Sequence, residues 1–226
     1  MIDKLLNFLE DFTLEERKQQ LWDIANQRTR YTTVVLENIY QTQNASAVLR
    51  SCDCFGIQDV HIIENENTFN VNPQVVMGAT KWLNLHRYNE RPNNTLTALK
   101  KLKGDGYRIV ATSPHENDVN LNDLDLSKGK IAFVFGNERE GISDIVKEEA
   151  DEFMKIPMYG FSESLNISVC AAITLQHVTT ELKQSNINWH LPDDELKRLY
   201  FEWLKKSIKK SDLLVDEFNQ RNNTDF

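Results

Sequence analysis

Three stretches of this chain set polar, charged and glycine residues against apolar ones, as a ligand site at the ends of regular elements requires. In the first, 44–56, Asn44 can cap a helix on which Val48 and Cys52 share a face, and Arg50 stands one and a half turns in. A guanidinium there can hold a phosphate or a carboxylate. The second is Gly136-Asn137-Glu138-Arg139-Glu140-Gly141, directly after an apolar run. Its glycines permit tight turns and close approach of backbone to a ligand, but it has neither a Walker loop's Gly-Lys-Ser/Thr nor the glycine spacing of a dinucleotide fingerprint. In the third, 156–169, Pro157 and Gly160 turn the chain and Ser164 can cap a long helix, with Asn166 beside it. Unpaired N–H groups at such a helix start can also hold a ligand.

The elements that must position these stretches alternate. Runs at 33–36, 60–63, 108–111, 131–135 and 153–156 are rich in β-branched and aromatic residues and predict strands. Helical patterns at 45–55, 96–103 and 143–150 lie among them. The fold class that follows is α/β, a mostly parallel sheet with helices on both faces. The run Ile131-Ala132-Phe133-Val134-Phe135 is apolar on both alternating sides, which suits a central strand. Ligands collect at the carboxyl ends of such strands, so the loop 136–141 is the first place to seek chemistry, with Thr112 and Ser113 next.

Helices also flank the sheet. Thr13 can cap one that runs to Ala25. Another starts after Pro192 with Asp193 and Asp194 in its first turn, and carries Leu196, Leu199, Tyr200, Trp203 and Leu204 as an apolar stripe. The domain reading is a helical extension over 1–30, a sheet domain over 31–184 and a second helical extension over 185–226. The helix from Ser164 and the one from Asp193 carry more apolar surface than one small sheet domain needs, which predicts a homodimer.

Composition removes several classes of function. Apolar runs are far shorter than the roughly 20 residues that span a bilayer, and the N-terminus lacks a secretory signal, so no membrane span is expected and the cytoplasm is the expected compartment. Cys52, Cys54 and Cys170 are too few for a disulfide framework or a four-ligand zinc site, and no metal is expected. The net charge of −8 runs against nucleic-acid binding, yet positive charge is locally dense at Lys205, Lys206, Lys209 and Lys210, with Arg28 and Arg30 near the other end. From charge alone, a solvated helix face is the favoured reading of the lysines. An amphipathic helix on a membrane surface is a further reading.

Taken together, in this order and spacing, the three stretches resemble the three motifs of the SpoU (TrmH) family of RNA 2′-O-ribose methyltransferases, over about 33–182. The resemblance implies a deep trefoil knot of the SPOUT type formed by the third stretch, and homodimers whose active sites draw on both subunits. It implies S-adenosylmethionine as cofactor, with Thr112, Gly136, Ile156 and Leu165 lining its pocket largely through backbone groups. Arg50 matches the family's catalytic arginine, and Asn44, Glu138, Ser164 and Asn166 are its polar company. Since a guanidinium stays protonated, a clamp on the neighbouring phosphate is an easier role for Arg50 than that of a base. The substrate implied is the ribose 2′-hydroxyl of a tRNA nucleotide, guanosine 18 of the D-loop first. Ribosomal RNA, another tRNA position and a non-catalytic RNA-binding protein are the alternatives. Where family members carry basic and histidine residues just before the first motif, this chain has Tyr40, Gln41, Thr42 and Gln43.

Overall fold

The structure is a computed structural model that describes residues 2–113 and 119–224. Its described strands are β1 (Thr32–Glu37), β2 (Asp59–Ile63), β3 (Asn84–Tyr88), β4 (Arg108–Thr112), β5 (Val119–Asn120), β6 (Ile131–Phe135) and β7 (Glu152–Lys155). They form one sheet in the order β3-β2-β1-β6-β4-β7-β5, and every pairing is parallel. The helices are α1 (Ile2–Glu10), α2 (Glu15–Ala25), α3 (Thr42–Cys54), α4 (Pro73–Val76), α5 (Thr95–Gly104), α6 (Asp144–Glu149), α7 (Ile167–Gln184), α8 (Asp193–Ser207) and α9 (Ser211–Asn222).

The chain divides into two compact units, one built from the stretch up to Arg28 together with that from His190 onward, the other from Thr29–Trp189. The two terminal extensions are thus a single helical unit. Within it the stripe of α8 is buried: Leu196, Leu199, Tyr200, Trp203 and Leu204 pack toward α1 and α2. Trp22 meets Tyr200 edge-on, Phe8 meets Phe218, and Lys197 pairs with Asp3 at 2.6 Å. The apolar surface of α8 is therefore consumed inside its own chain, and it does not support the dimer argument made from it. Thr13 does not cap α2 either. Its N–H closes the turn after α1 on Glu10, and the extended residue ahead of α2 is Leu14.

In the sheet unit, β6 is sealed on both sides. Ile131, Phe133 and Phe135 enter a core with Val48 and Leu49 of α3 and Ala171, Leu175 and Val178 of α7. Ala132 and Val134 enter a second core with Ala98, Leu99 and Leu102 of α5 and Val146 of α6. Complete burial of each phenylalanine contributes roughly 1.5–3 kcal/mol.

Strand β3 is missing from the sequence reading because it is the polar edge. Asn84 and His86 both reach Asp59 of β2, at 3.2 and 2.8 Å, and Arg30 closes on the same carboxylate at 2.6 Å. His61 stacks on His86 and bonds the Tyr88 hydroxyl at 2.9 Å, while Arg87 pairs with Glu64 at 2.7 Å. Cross-strand pairs of this kind hold an edge strand without the apolar alternation that betrays a strand in sequence.

Candidate active site

The direction of chain travel reverses at the centre of the sheet. The connection from β1 leads outward to β2 and β3, whereas β6 lies on the other side of β1. A crevice opens at the carboxyl ends of strands at such a switch point. Here it is a cavity of about 680 Å³, bordered by Thr112 and Ser113 at the end of β4, the 136–141 loop after β6, and Ile156 and Met158 after β7. The start of α7, from Ser164 to Asn166, supplies another wall.

The loop after β6 owes its shape to two glycines. Asn137 and Gly141 exchange backbone hydrogen bonds of 2.8 and 2.9 Å, which pinches the loop into a ring, and Gly141 adopts a positive φ of 73°. A Cβ on Gly136 would lie 2.3 Å from the carbonyl carbon of Gly141 and 2.4 Å from the nitrogen of Ile142. No side chain fits between these backbones.

The ring aims Glu138 at the start of α3. Its carboxylate accepts from the N–H groups of Tyr40 and Gln41, at 3.0 and 3.2 Å, and from Asn44 Nδ2 at 2.8 Å. Burial pushes its pKa upward, but these donors outweigh burial and hold it below the usual carboxylate value. Glu138 is thus an anion, favourably placed at a helix N-terminus. Asn166 extends the chain of contacts: its Oδ1 accepts from Ser168 N at 2.8 Å, and its Nδ2 donates to Asn44 Oδ1 at 3.1 Å. The 136–141 loop, α3 and α7 are locked together by Glu138, Asn44 and Asn166.

Two capping expectations are corrected here. Helix α3 starts two residues before Asn44, which lies in its first turn, and the extended residue ahead of it is Gln41. Helix α7 is capped by Asn166, and Ser164 sits exposed in the preceding segment. Asn44 spends its side-chain hydrogen bonds on Gln41, Glu138 and Asn166, while Ser164 borders the cavity.

Thr112, Gly136, Ile156 and Leu165 all line the cavity, as do Asn44, Glu138, Ser164 and Asn166. Arg50 does not. It is exposed on α3, with no hydrogen bond or ion pair among the described residues, and neither Glu138 nor Asn166 orients it. Of the basic residues, Arg28 is only 2% exposed and lies over the Trp203 ring at 5.0 Å, so it cannot meet RNA. Arg30 is tied to Asp59. Lys205 pairs with Asp212 at 3.0 Å, and Lys206, Lys209 and Lys210 are exposed.

Several contributors had no clear signal in the sequence. Glu37, the buried last residue of β1, accepts from Ser143 N at 2.9 Å, Ser143 Oγ at 2.6 Å and Thr95 Oγ1 at 2.8 Å, which anchors α6 and α5 behind the cavity. Its one trace is a carboxylate closing an apolar run. Cys170 lines the cavity from α7, where burial pushes its thiol up to about 11. It therefore forms an apolar wall and not a nucleophile. Lys155 and Arg139 add positive charge to the cavity's border. Among the described residues no cluster of three metal-ligating side chains occurs, and no helix is long and apolar enough to cross a membrane.

Comparison with known proteins agrees with this geometry. The SpoU rRNA methylase family matches residues 31–176, a stretch that contains every residue bordering the cavity. The chain is similar to a tRNA (guanosine(18)-2'-O)-methyltransferase of Borreliella burgdorferi, 38% identical over 96% of this chain and 97% of the relative. It is also similar to the solved TrmH/SpoU tRNA modifying enzyme of A. aeolicus, with a TM-score of 0.76 and 27% identity over 87% of this chain and 98% of the other. A SpoU methyltransferase from Streptomyces viridochromogenes, solved in complex with AdoMet, shares the fold at a TM-score of 0.59 and 19% identity, over 73% of this chain and 62% of the other. With the match running from the residue before β1 into α7, and the relatives aligned over most of their length, this chain belongs to the SpoU (TrmH) methylase family.

Proposed function

We propose that the chain transfers a methyl group from S-adenosylmethionine to the ribose 2′-hydroxyl of a tRNA nucleotide, that of guanosine 18 in the D-loop. The observation that carries this reading is the cavity at the carboxyl ends of β4, β6 and β7. Its 680 Å³ lies in the range of pockets for small ligands, and it pairs an apolar floor of Phe135, Met154, Ile156, Leu165 and Cys170 with exposed loop backbone. An adenine ring suits that floor, and the backbone of Thr112, Gly136, Ile156 and Leu165 would hold the nucleoside. When bound, the cofactor supplies an electrophilic methyl group on a positively charged sulfur.

The protein's own task is then alignment. Glu138, Asn44 and Asn166 fix the loop and the two helix starts against one another, and Ser164 is free to meet the ribose. Arg50 clamps the phosphate beside the target ribose, and that phosphate takes the hydroxyl proton. Its position outside its own chain's cavity supports a site shared between two subunits. A homodimer is further supported by α7, which leaves Val169 and Ile173 more than a third exposed, and by Tyr159 and Phe161 on the loop before it, which are fully exposed. Family membership also implies the trefoil knot after β7, against the general avoidance of knots.

The remaining assignments follow from this reading. The catalytic domain is 31–184 and the extensions are 1–30 and 185–226. Lys206, Lys209 and Lys210 offer RNA phosphates the least encumbered charge, and the compartment is the cytoplasm, where tRNA resides. Calorimetry with S-adenosylmethionine, followed by transfer of a labelled methyl group to an unmodified tRNA transcript, tests the proposal. Binding without metal, and transfer that vanishes with deoxyguanosine at position 18, is the expected result. No cofactor binding with RNA present or absent sinks the activity; equal transfer to the deoxy transcript sinks the position.

A further inference from the structure

Directly beside Glu138 stands a cation that the proposed chemistry has not used. Arg139 borders the cavity, is exposed, and its guanidinium carbon lies 4.2 Å from the centroid of the Tyr40 ring. Its backbone is held by the Asn137 side chain, which accepts from Arg139 N at 2.8 Å. Among the described residues the guanidinium meets no carboxylate and no carbonyl. In this chain of 34 acidic and 26 basic residues, Arg87, Arg108 and Arg221 by contrast each pair with a glutamate. Two acids flank it in sequence and both border the cavity: Glu138 is already engaged by the N–H groups of Tyr40, Gln41 and Asn44, and Glu140 makes no ion pair with it among the described residues.

Tyr40 is equally placed for use. It is 52% exposed, stands two residues before the start of α3, and its own N–H is fixed by Glu138. One carboxylate therefore sets the backbone of the residue that carries the ring, while the neighbouring residue supplies the cation that covers it. Stacking on an aromatic ring fixes a guanidinium plane without consuming its N–H donors, so the fork stays available for a planar or tetrahedral anion.

We propose that Arg139, held in position by Tyr40, binds a backbone phosphate of the RNA substrate at the mouth of the cavity. The assignment rests on the reading of the chain as a tRNA methyltransferase. It gives the acidic protein a phosphate contact at the segment Tyr40–Gln43, where the sequence carries no basic residue of its own. Arg139 is the binding group and Tyr40 a positioning residue that acts through it.

Binding of an unmodified tRNA transcript at several salt concentrations, with S-adenosylmethionine affinity in parallel, tests this on the full-length protein. Arg139→Gln should weaken transcript binding about tenfold and lower the slope of log affinity against log salt by about 0.7–0.9, the loss of one phosphate contact. Tyr40→Phe should match wild type. Tyr40→Leu should cost about threefold, the size of an exposed cation–π contact, with cofactor affinity unchanged in every variant. Arg139→Gln with wild-type affinity and slope overturns the proposal while leaving the methyltransferase reading intact. So does a loss of cofactor affinity at an unchanged slope, because it assigns the guanidinium to the carboxylate of S-adenosylmethionine. A wild-type protein that neither binds nor methylates the transcript removes the functional reading itself, and this inference with it.

Discussion

Two polar clusters of the sheet unit differ in how their charges are settled. At the β2–β3 edge every carboxylate has a cation: Asp59 faces Arg30 and His86, and Glu64 faces Arg87. At the cavity the order is reversed. Glu138 is satisfied by neutral N–H donors, whereas Arg139 on the cavity's border, and Arg50 on the exposed side of α3 outside it, face no acid among the described residues. A cluster that neutralises itself holds the fold and offers little to a ligand. One that satisfies its anion with amides and leaves its cations open is prepared for an external anion, and phosphate is the anion that RNA supplies.

The sharpest way to break the comparison is at Arg50. Arg50→Ala should lower single-turnover methyl transfer about 10³-fold and Arg50→Lys about 10²-fold, since lysine keeps the charge but loses the planar fork. Thermal stability and cofactor affinity should not move, because the exposed side chain makes no hydrogen bond or ion pair among the described residues. Wild-type transfer by both variants denies Arg50 any part in the reaction. Transfer retained by lysine and lost by alanine makes charge, not the fork, the essential property.

The β2–β3 cluster should respond to acid instead. Burial, and then the charge of His86, hold His61 down to about 4 from an ordinary 6.5. Burial would raise Asp59, but the hydrogen bond from His86 and the charge of Arg30 outweigh it and hold it at about 2, below the ordinary 3.8. Both groups bind more protons unfolded than folded at acidic pH. The contribution of His61 is fully present above pH 6.5 and lost as pH falls to about 4, and that of Asp59 is lost between 3.8 and about 2. For His61 this is worth roughly 3 kcal/mol. Urea melts from neutral pH to pH 4 should show that loss in wild type and a flatter profile in His61→Gln, with methyl transfer near neutral pH within twofold of wild type. A parallel loss in both proteins assigns the acid sensitivity elsewhere.

The smallest effect is expected from the terminal unit. Replacing Lys206, Lys209 and Lys210 together with Gln should reduce transcript affinity severalfold and lower the salt slope by about one to two, with maximal transfer unchanged. An identical slope returns these lysines to a solvated helix face.

What the sequence by itself determined was local and periodic. The apolar run of β6 marked a central strand with a ligand loop after it, the stripe of α8 appeared at the spacing the helix buries, and the three motifs named the residues that line the cavity. The strand and the stripe follow from side-chain period; the cavity residues came from the resemblance of the three stretches to a family's motifs, which also named Arg50, and Arg50 lies outside the cavity. Tertiary structure alone decided which of two uses each polar side chain received. Asn44 and Ser164 read as helix caps because a cap is a contact within a few residues, yet Asn44 bonds a carboxylate 94 positions away and the cap of α7 falls to Asn166. Arg28 and Arg30 read as free basic residues until Trp203 and Asp59 closed on them. The pairing of Tyr40 with Arg139 was invisible for the same reason: two residues 99 positions apart in the chain meet only because β1 and β6 lie side by side in the sheet.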